Sequence, residues 1–133
     1  MPKQMNPRAP AILLVEKDAV TLEMYQRELS KSFTVFALTD IRRIPDILGS
    51  QDIQAMVIEP EIDHGRAWEL IESIQSMAPN RPVRVIVCST RDAAGPGAGR
   101  EVARYLTKPV LPQRLREITL EVLASNAVPG ALA

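Results

Sequence analysis

The stretch that decides the fold is ILLVEKD, which occupies residues 12–18. Four apolar residues are followed at once by Glu16, Lys17 and Asp18, as happens where a buried strand reaches the surface. Carboxylates at the end of a buried strand are typical of sites that hold a cation or a phosphate group. Here a lysine separates the two acids, so the stretch predicts both a buried first strand and an unusual site at its end.

Strand-like and helix-like segments alternate along the rest of the chain. Apolar or β-branched runs predict strands at residues 12–15, 33–38, 55–58, 83–88 and 105–107. Apolar stripes of helical period predict helices at residues 19–30, around 41–48, at 67–78 and after Pro112. In the second helix we expect a distortion at Pro45 and an end at Gly49, whereas Asp18 is a candidate N-cap of the first.

This order of elements predicts an α/β fold. Repeated βαβ units with continuously apolar strands favour a doubly wound, five-stranded parallel sheet with helices on both faces. Between the last two strands, residues 92–100 read DAAGPGAGR, and three glycines and a proline oppose a helix. We therefore expect the fourth helix to be shortened or absent. The predicted domain covers residues 11–125, between disordered tails at 1–10 and 126–133.

Composition excludes several classes of function. The chain has 133 residues and no formal net charge, which argues against general nucleic-acid or membrane-surface binding. Its longest apolar runs are too short to cross a bilayer, and no secretory signal is evident. The single cysteine, Cys88, lies in an apolar run, so we expect a small core residue in a cytoplasmic protein without disulfide bonds.

Charge is distributed unevenly along the chain. Residues 1–80 carry 8 basic and 12 acidic side chains, whereas residues 81–133 carry 8 basic and 4 acidic ones. This asymmetry predicts one acidic and one basic end of the fold, and the basic end is a candidate surface for an acidic partner.

Polar side chains follow four of the predicted strands. Because ligands of doubly wound sheets bind outside the carboxyl ends of the strands, we expect these side chains to converge. They are Glu16 and Lys17 after the first strand, Glu59 after the third, Ser89 after the fourth and Lys108 after the fifth.

The same segments resemble the receiver domains of bacterial two-component response regulators, over roughly residues 10–125. ILLVEKD, MVIEPEIDHGRAWELI, VIVCSTRD and YLTKPV resemble, in order, the motifs of the first, third, fourth and fifth strands. The resemblance implies strand order 2-1-3-4-5 and a cytoplasmic, non-enzymatic module that works in a phosphorelay by binding proteins. By position, the resemblance places Glu16 and Lys17 in the family's acidic pocket and Glu59 at its phosphoacceptor position. It places Ser89 and Tyr105 at the two switch positions and Lys108 at the position of the family's lysine.

Two of these positions depart from the family, whose members bind Mg²⁺ through their acids and accept a phosphoryl group on aspartate. Lys17 places an ammonium where a metal ligand belongs, and like charges at about 4 Å cost roughly 4 kcal/mol per unit charge at an effective dielectric of about 20. Glu59 is one methylene longer than aspartate, which displaces its oxygen from in-line attack. We expect Mg²⁺ binding to be lost, with Lys17 as an internal cation bridging toward Glu59; alternatively, Lys17 extends into water beside Glu16.

The sequence thus predicts a degenerate receiver that acts through protein contacts, without phosphorylation and without a metal. Its interaction face would include Arg100, Arg104 and Arg114, which fit an acidic protein partner or a homodimer through the region from the fourth to the last helix. One alternative is a conventional receiver that is phosphorylated on an acidic residue with Mg²⁺. Another is a flavodoxin-like binder of nucleotide or flavin, for which EKDAVT (residues 16–21) is a poor phosphate loop.

Overall fold

The computed structural model describes residues 9–78, 81–90 and 102–125 of the chain. The strands of this part are β1 (Ala11–Val15), β2 (Thr34–Leu38), β3 (Ile53–Ile58), β4 (Arg84–Ser89) and β5 (Arg104–Thr107). Its α-helices are α1 (Ala19–Leu29), α2 (Ile44–Ser50), α3 (Ala67–Glu72), α4 (Ile74–Met77) and α5 (Pro112–Ala124). A short 3-10 turn, Ile62–Gly65, precedes α3.

The strands form one parallel sheet in the order β2-β1-β3-β4-β5, so the predicted fold class and strand order are confirmed. Val15, the last residue of β1, pairs with Leu38 in β2 and with Ile58 in β3. Ser89, at the end of β4, pairs with Thr107 at the end of β5. The carboxyl ends of all five strands therefore meet at one edge of the sheet.

Alternate strand residues supply two hydrophobic layers, because successive side chains of a strand point to opposite faces. One layer packs against α2, α3 and α4; its strand residues include Leu13, Val15, Met56, Ile58, Val85 and Val87. The other packs against α1 and α5; its strand residues include Ile12, Leu14, Ala55, Val57, Ile86 and Cys88. Burial on both faces explains why these strands read as continuous apolar runs.

Two helices differ from the sequence prediction. Pro45 lies in the first turn of α2, where its missing N–H costs nothing, so it causes no distortion there, and the helix continues past Gly49 to Ser50. The predicted helix at residues 67–78 is divided into α3 and α4 at Ser73. The Ser73 hydroxyl donates to the carbonyl of Leu70, and such local bonds compete with the helical pattern.

Several expectations fall on residues outside the described ranges. The glycine-rich segment 92–100 lies there, together with the tail 126–133 and most of the tail 1–10. Pro10 is described, and its carbonyl accepts a hydrogen bond from the Thr34 amide at the start of β2. Within the described ranges, none of the helices has the length and apolar character needed to span a bilayer.

Candidate functional site

Three charged residues meet at the carboxyl edge of the sheet, one after each of β1, β3 and β5. The backbone ladder continues one residue beyond each strand and fixes their positions. The amide of Glu16 donates to the carbonyl of Leu38, that of Glu59 to Val15, and that of Lys108 to Ser89. The predicted convergence of these three sites is therefore present in the structure.

The Lys108 side chain lies between the two glutamates. Its Nζ is 2.7 Å from Oε1 of Glu16 and 3.0 Å from Oε1 of Glu59. Both glutamates are 2 % exposed, and the Lys108 side chain is 16 % exposed. We call these three residues the Glu16–Lys108–Glu59 cluster. Its two carboxylates and one ammonium are removed from water and held at hydrogen-bonding distance.

The second oxygen of each carboxylate accepts a backbone amide. Glu16 Oε2 accepts from the Asp18 amide at 3.1 Å, and Glu59 Oε2 accepts from the Glu61 amide at 2.8 Å. All four carboxylate oxygens of the cluster thus have a donor. Such complete satisfaction offsets the desolvation that burial of two carboxylates costs.

The pKa of Lys108 reflects two opposing effects. Burial alone lowers it, but the hydrogen bonds and negative charges of Glu16 and Glu59 outweigh burial and raise the pKa above the ordinary lysine value of 10.5. Lys108 is therefore a fixed cation of the site at every physiological pH.

The predicted bridging role of Lys17 is wrong. Lys17 is exposed, and the cation that bridges Glu16 and Glu59 is Lys108. Adjacent residues of an extended segment point in opposite directions, so when Glu16 turns into the site Lys17 turns toward water. An exposed ammonium also keeps its hydration, which a second buried lysine would lose. The alternative of a solvated Lys17 agrees with the structure.

Asp18 caps α1, as predicted. Its carboxylate accepts from the Thr21 amide at 2.9 Å and from the Thr21 hydroxyl at 2.6 Å. These two bonds, the hydroxyl first, lower the pKa of Asp18 below its ordinary value. The carboxylate therefore remains ionised at the helix N-terminus and takes no part in the Glu16–Lys108–Glu59 cluster.

The two predicted switch residues lie on neighbouring strands. Ser89 is fully buried at the end of β4. Tyr105 in β5 pairs with Val87, and its ring stacks on Trp68 of α3. The ring centroids are 6.2 Å apart and the planes differ by 16°. Trp68 is 8 % exposed and so packs at the core, and its stack on Tyr105 had no counterpart in the sequence pattern.

The predicted interaction face is only partly described, because Arg100 lies outside the described ranges. Arg104 and Arg114 both contact Glu121 of α5, at 3.4 Å and 3.7 Å, and Arg114 also contacts Glu117 at 3.4 Å. These four side chains carry two positive and two negative charges. The described part of this face is therefore a mixed surface without an excess of positive charge.

Basic residues of the C-terminal part also pair with acids of the N-terminal part. Arg81 contacts Asp52 at 3.0 Å, and Arg116 contacts Glu28 at 3.0 Å. Much of the charge asymmetry along the sequence is thus used in contacts within the fold. Within residues 9–78, 81–90 and 102–125, no three His, Cys, Asp or Glu side chains are grouped as metal ligands would be.

The fold is shared with solved structures of receiver domains. A CheY-like receiver domain from Methylobacillus flagellatus superposes with a TM-score of 0.74 at 14 % identity, covering 86 % of this chain and 98 % of that one. A signal receiver domain of an HD domain-containing protein from Pseudomonas fluorescens Pf-5 gives 0.74 at 23 % identity, covering 88 % and 96 %. A Burkholderia pseudomallei response regulator with a phosphorylated aspartic acid and a calcium ion gives 0.69 at 16 % identity, covering 88 % and 68 %.

Similarity at the level of sequence is much weaker. The chain matches no protein-family model, and it matches no curated protein. The agreement of sheet order, chain coverage and superposition nevertheless leads to one conclusion about architecture: this chain has the fold of CheY-like response regulator receiver domains.

Proposed function

We propose that this chain is a receiver-type module of two-component signalling that acts through protein contacts and neither binds Mg²⁺ nor turns over a phosphoryl group. The receiver fold supports the signalling class. The observation that carries the rest is the Glu16–Lys108–Glu59 cluster, in which the ammonium of Lys108 lies 2.7 Å and 3.0 Å from the two carboxylates.

The residues at the site do not fit Mg²⁺. This ion prefers near-octahedral coordination by oxygen, and carboxylates are its usual protein ligands. Both glutamates already have donors on every oxygen, from Lys108 and from two backbone amides. The position that would supply a further acid is occupied by Lys17, which is exposed. A divalent cation would have to displace Lys108 from both glutamates and would gain no carboxylate from residue 17.

Glu59 is also poorly suited to accept a phosphoryl group. Its Oε1 bonds Lys108 and its Oε2 bonds the Glu61 amide, so donors on both oxygens hold the side chain in place. Phosphoryl transfer depends almost entirely on positioning and on electrostatic stabilisation of the transferred group. Glu59 is one methylene longer than aspartate and is held by its own donors, so it is poorly positioned for such a transfer.

Nucleotide binding at the end of β1, the other function considered, is disfavoured by Asp18. A phosphate bound in a doubly wound sheet lies at the N-terminus of the helix after the first strand. Here the Asp18 carboxylate already accepts the Thr21 amide at that helix terminus. A nucleotide phosphate would meet a negative charge there instead of free amides.

Incubation with acetyl phosphate and Mg²⁺, followed by intact-mass measurement, tests the proposal. We expect no added phosphoryl group on the native protein. The matched control is the double variant Lys17→Asp, Glu59→Asp, which places an aspartate at both positions and should gain a phosphoryl group. Phosphorylation of the native protein would favour a conventional receiver and refute the proposal.

For the partner, the mixed charges of Arg104, Arg114, Glu117 and Glu121 support a second copy of this chain over an acidic protein. A surface with both signs can be complementary to itself under two-fold symmetry, whereas an acidic partner would be repelled by the two glutamates. Sedimentation at increasing concentration tests this pairing. Arg104→Glu should weaken a dimer, and a mixture of Arg104→Glu with Glu121→Arg chains should restore it. A monomer at every concentration would exclude the homodimer.

A further inference from the structure

The stack of Trp68 on Tyr105 joins α3 to β5 through two residues that are 37 positions apart in the sequence. The rings are nearly parallel, at 16°, with centroids 6.2 Å apart. Trp68 is the chain's single tryptophan and belongs to the hydrophobic layer that also contains Val87 and Ile71. Aromatic pairs at this separation contribute stabilisation in addition to that from burying their apolar surface.

Tyr105 lies on an edge strand and packs against the same hydrophobic layer as Trp68. Its strand, β5, pairs with β4 through Val87 and is the last strand of the sheet. Its side chain is only partly buried, in contrast to the fully buried Val87 beside it. A partly exposed ring on an edge strand can adopt more than one rotamer unless a neighbour restricts it. Trp68 is such a neighbour.

Trp68 is itself positioned by the segment that follows Glu59. The Glu61 amide donates to Glu59, and Ile62, which is 3 % exposed, anchors the turn before α3. In that turn Asp63 and His64 adopt positive φ angles of 51° and 56°. This short, tightly turned connection links the Glu16–Lys108–Glu59 cluster to the start of α3, and Trp68 is the second residue of that helix.

We propose that Trp68 is a positioning residue that holds the Tyr105 ring in one orientation, so that the edge of the sheet beside Ser89 is a fixed surface. The role of that surface in binding a partner rests on the proposed function, because a module that does not exchange phosphoryl groups would present one state to its partner. The orientation of Tyr105 is then set by packing from α3 and not by the occupancy of the acidic site.

Fluorine NMR of protein labelled with 3-fluorotyrosine tests the proposal, because the chain contains only two tyrosines. Tyr25 is an internal control: it is 3 % exposed, lies in the opposite hydrophobic layer and donates its hydroxyl to the Val110 carbonyl. Tyr105→Phe assigns the two resonances. In native protein we expect one narrow Tyr105 line. In Trp68→Ala that line should shift and broaden while the Tyr25 line stays unchanged, and Trp68→Phe should restore a narrow line.

A Tyr105 line that is already broadened by exchange in native protein would overturn the proposal, as would a line that Trp68→Ala leaves unchanged. A measurement on native protein covers the case in which Trp68→Ala does not fold. Nuclear Overhauser contacts between the indole and the Tyr105 ring are expected, and their absence would also overturn it.

These outcomes are separable from those of the proposed function. If native protein takes up a phosphoryl group from acetyl phosphate while the Tyr105 line remains single and dependent on Trp68, the proposed function fails and the positioning role stands. If no phosphoryl group is added but Tyr105 is mobile beside Trp68, the positioning role fails and the proposed function stands.

Discussion

Replacing Lys108 by methionine removes the cation of the Glu16–Lys108–Glu59 cluster while keeping a side chain of similar length. Two carboxylates that are each 2 % exposed then face each other without the ammonium that lay 2.7 Å and 3.0 Å away. Removing one partner of a buried ion pair costs about 3 to 5 kcal/mol. Because the Lys108 side chain is 16 % exposed and water can enter, we expect the lower end, about 3 kcal/mol.

The assay is urea unfolding at pH 7, followed by the fluorescence of Trp68. With a urea dependence of about 2 kcal/mol per molar, the midpoint of Lys108→Met should fall by roughly 1.5 M. Lys17→Met is the matched control, because it removes a neighbouring but exposed lysine and should change stability by less than about 0.5 kcal/mol. Similar midpoints for the two variants would refute the role given to Lys108.

The pH dependence sharpens the same comparison. The raised pKa of Lys108 means that its stabilisation is complete below the ordinary lysine pKa of 10.5 and is lost as the pH rises through the higher folded value. The difference between native protein and Lys108→Met should therefore be constant from pH 7 to 9. A difference that decreases within this range would contradict this electrostatic explanation.

Three further predictions concern contacts away from the cluster. Burial raises the pKa of the Cys88 thiol to about 11, so native protein should react with iodoacetamide at pH 8 far more slowly than unfolded protein; equal rates would contradict the burial. Tyr25→Phe removes the bond to the Val110 carbonyl and should cost about 1 kcal/mol in urea unfolding, whereas an unchanged midpoint would show that the bond contributes nothing. The Gln75 amide bonds both the N–H and the carbonyl of Val83 at 2.8 Å, so Gln75→Ala should cost about 1 to 3 kcal/mol, more than Ser76→Ala beside it.

The fold could be predicted because its elements carry local signals that agree with one another. Strands buried on both faces must be apolar throughout, and parallel strands need helical connections. The alternation of apolar strand-like runs with apolar stripes of helical period is therefore compatible with few architectures. The division between α3 and α4 escaped prediction because the apolar stripe continues across Ser73 without interruption. At Ser73 the backbone leaves helical geometry and the hydroxyl bonds the Leu70 carbonyl, and neither feature is visible in the sequence.

The sequence predicted which residues lie at the site but not which of them contact one another. Sequence order placed Glu16, Lys17, Glu59 and Lys108 at the carboxyl edge of the sheet, but the bridging position was assigned to Lys17 and belongs to Lys108. The choice depends on side-chain direction, which the Glu16–Asp18 backbone fixes by turning Glu16 inward and Lys17 outward. The stack of Trp68 on Tyr105 depends on how α3 lies over β5, and no local pattern encodes that distance.

The most direct test of the central claim is a titration of native protein with Mg²⁺, monitored by the amide resonances of Glu16, Glu59 and Lys108. If Lys108 supplies the positive charge of the site, these resonances should stay unchanged through physiological Mg²⁺ concentrations, while those of the Lys17→Asp, Glu59→Asp variant should shift and saturate. Saturable shifts at all three positions in native protein would show that a metal ion displaces the ammonium, and would contradict the account.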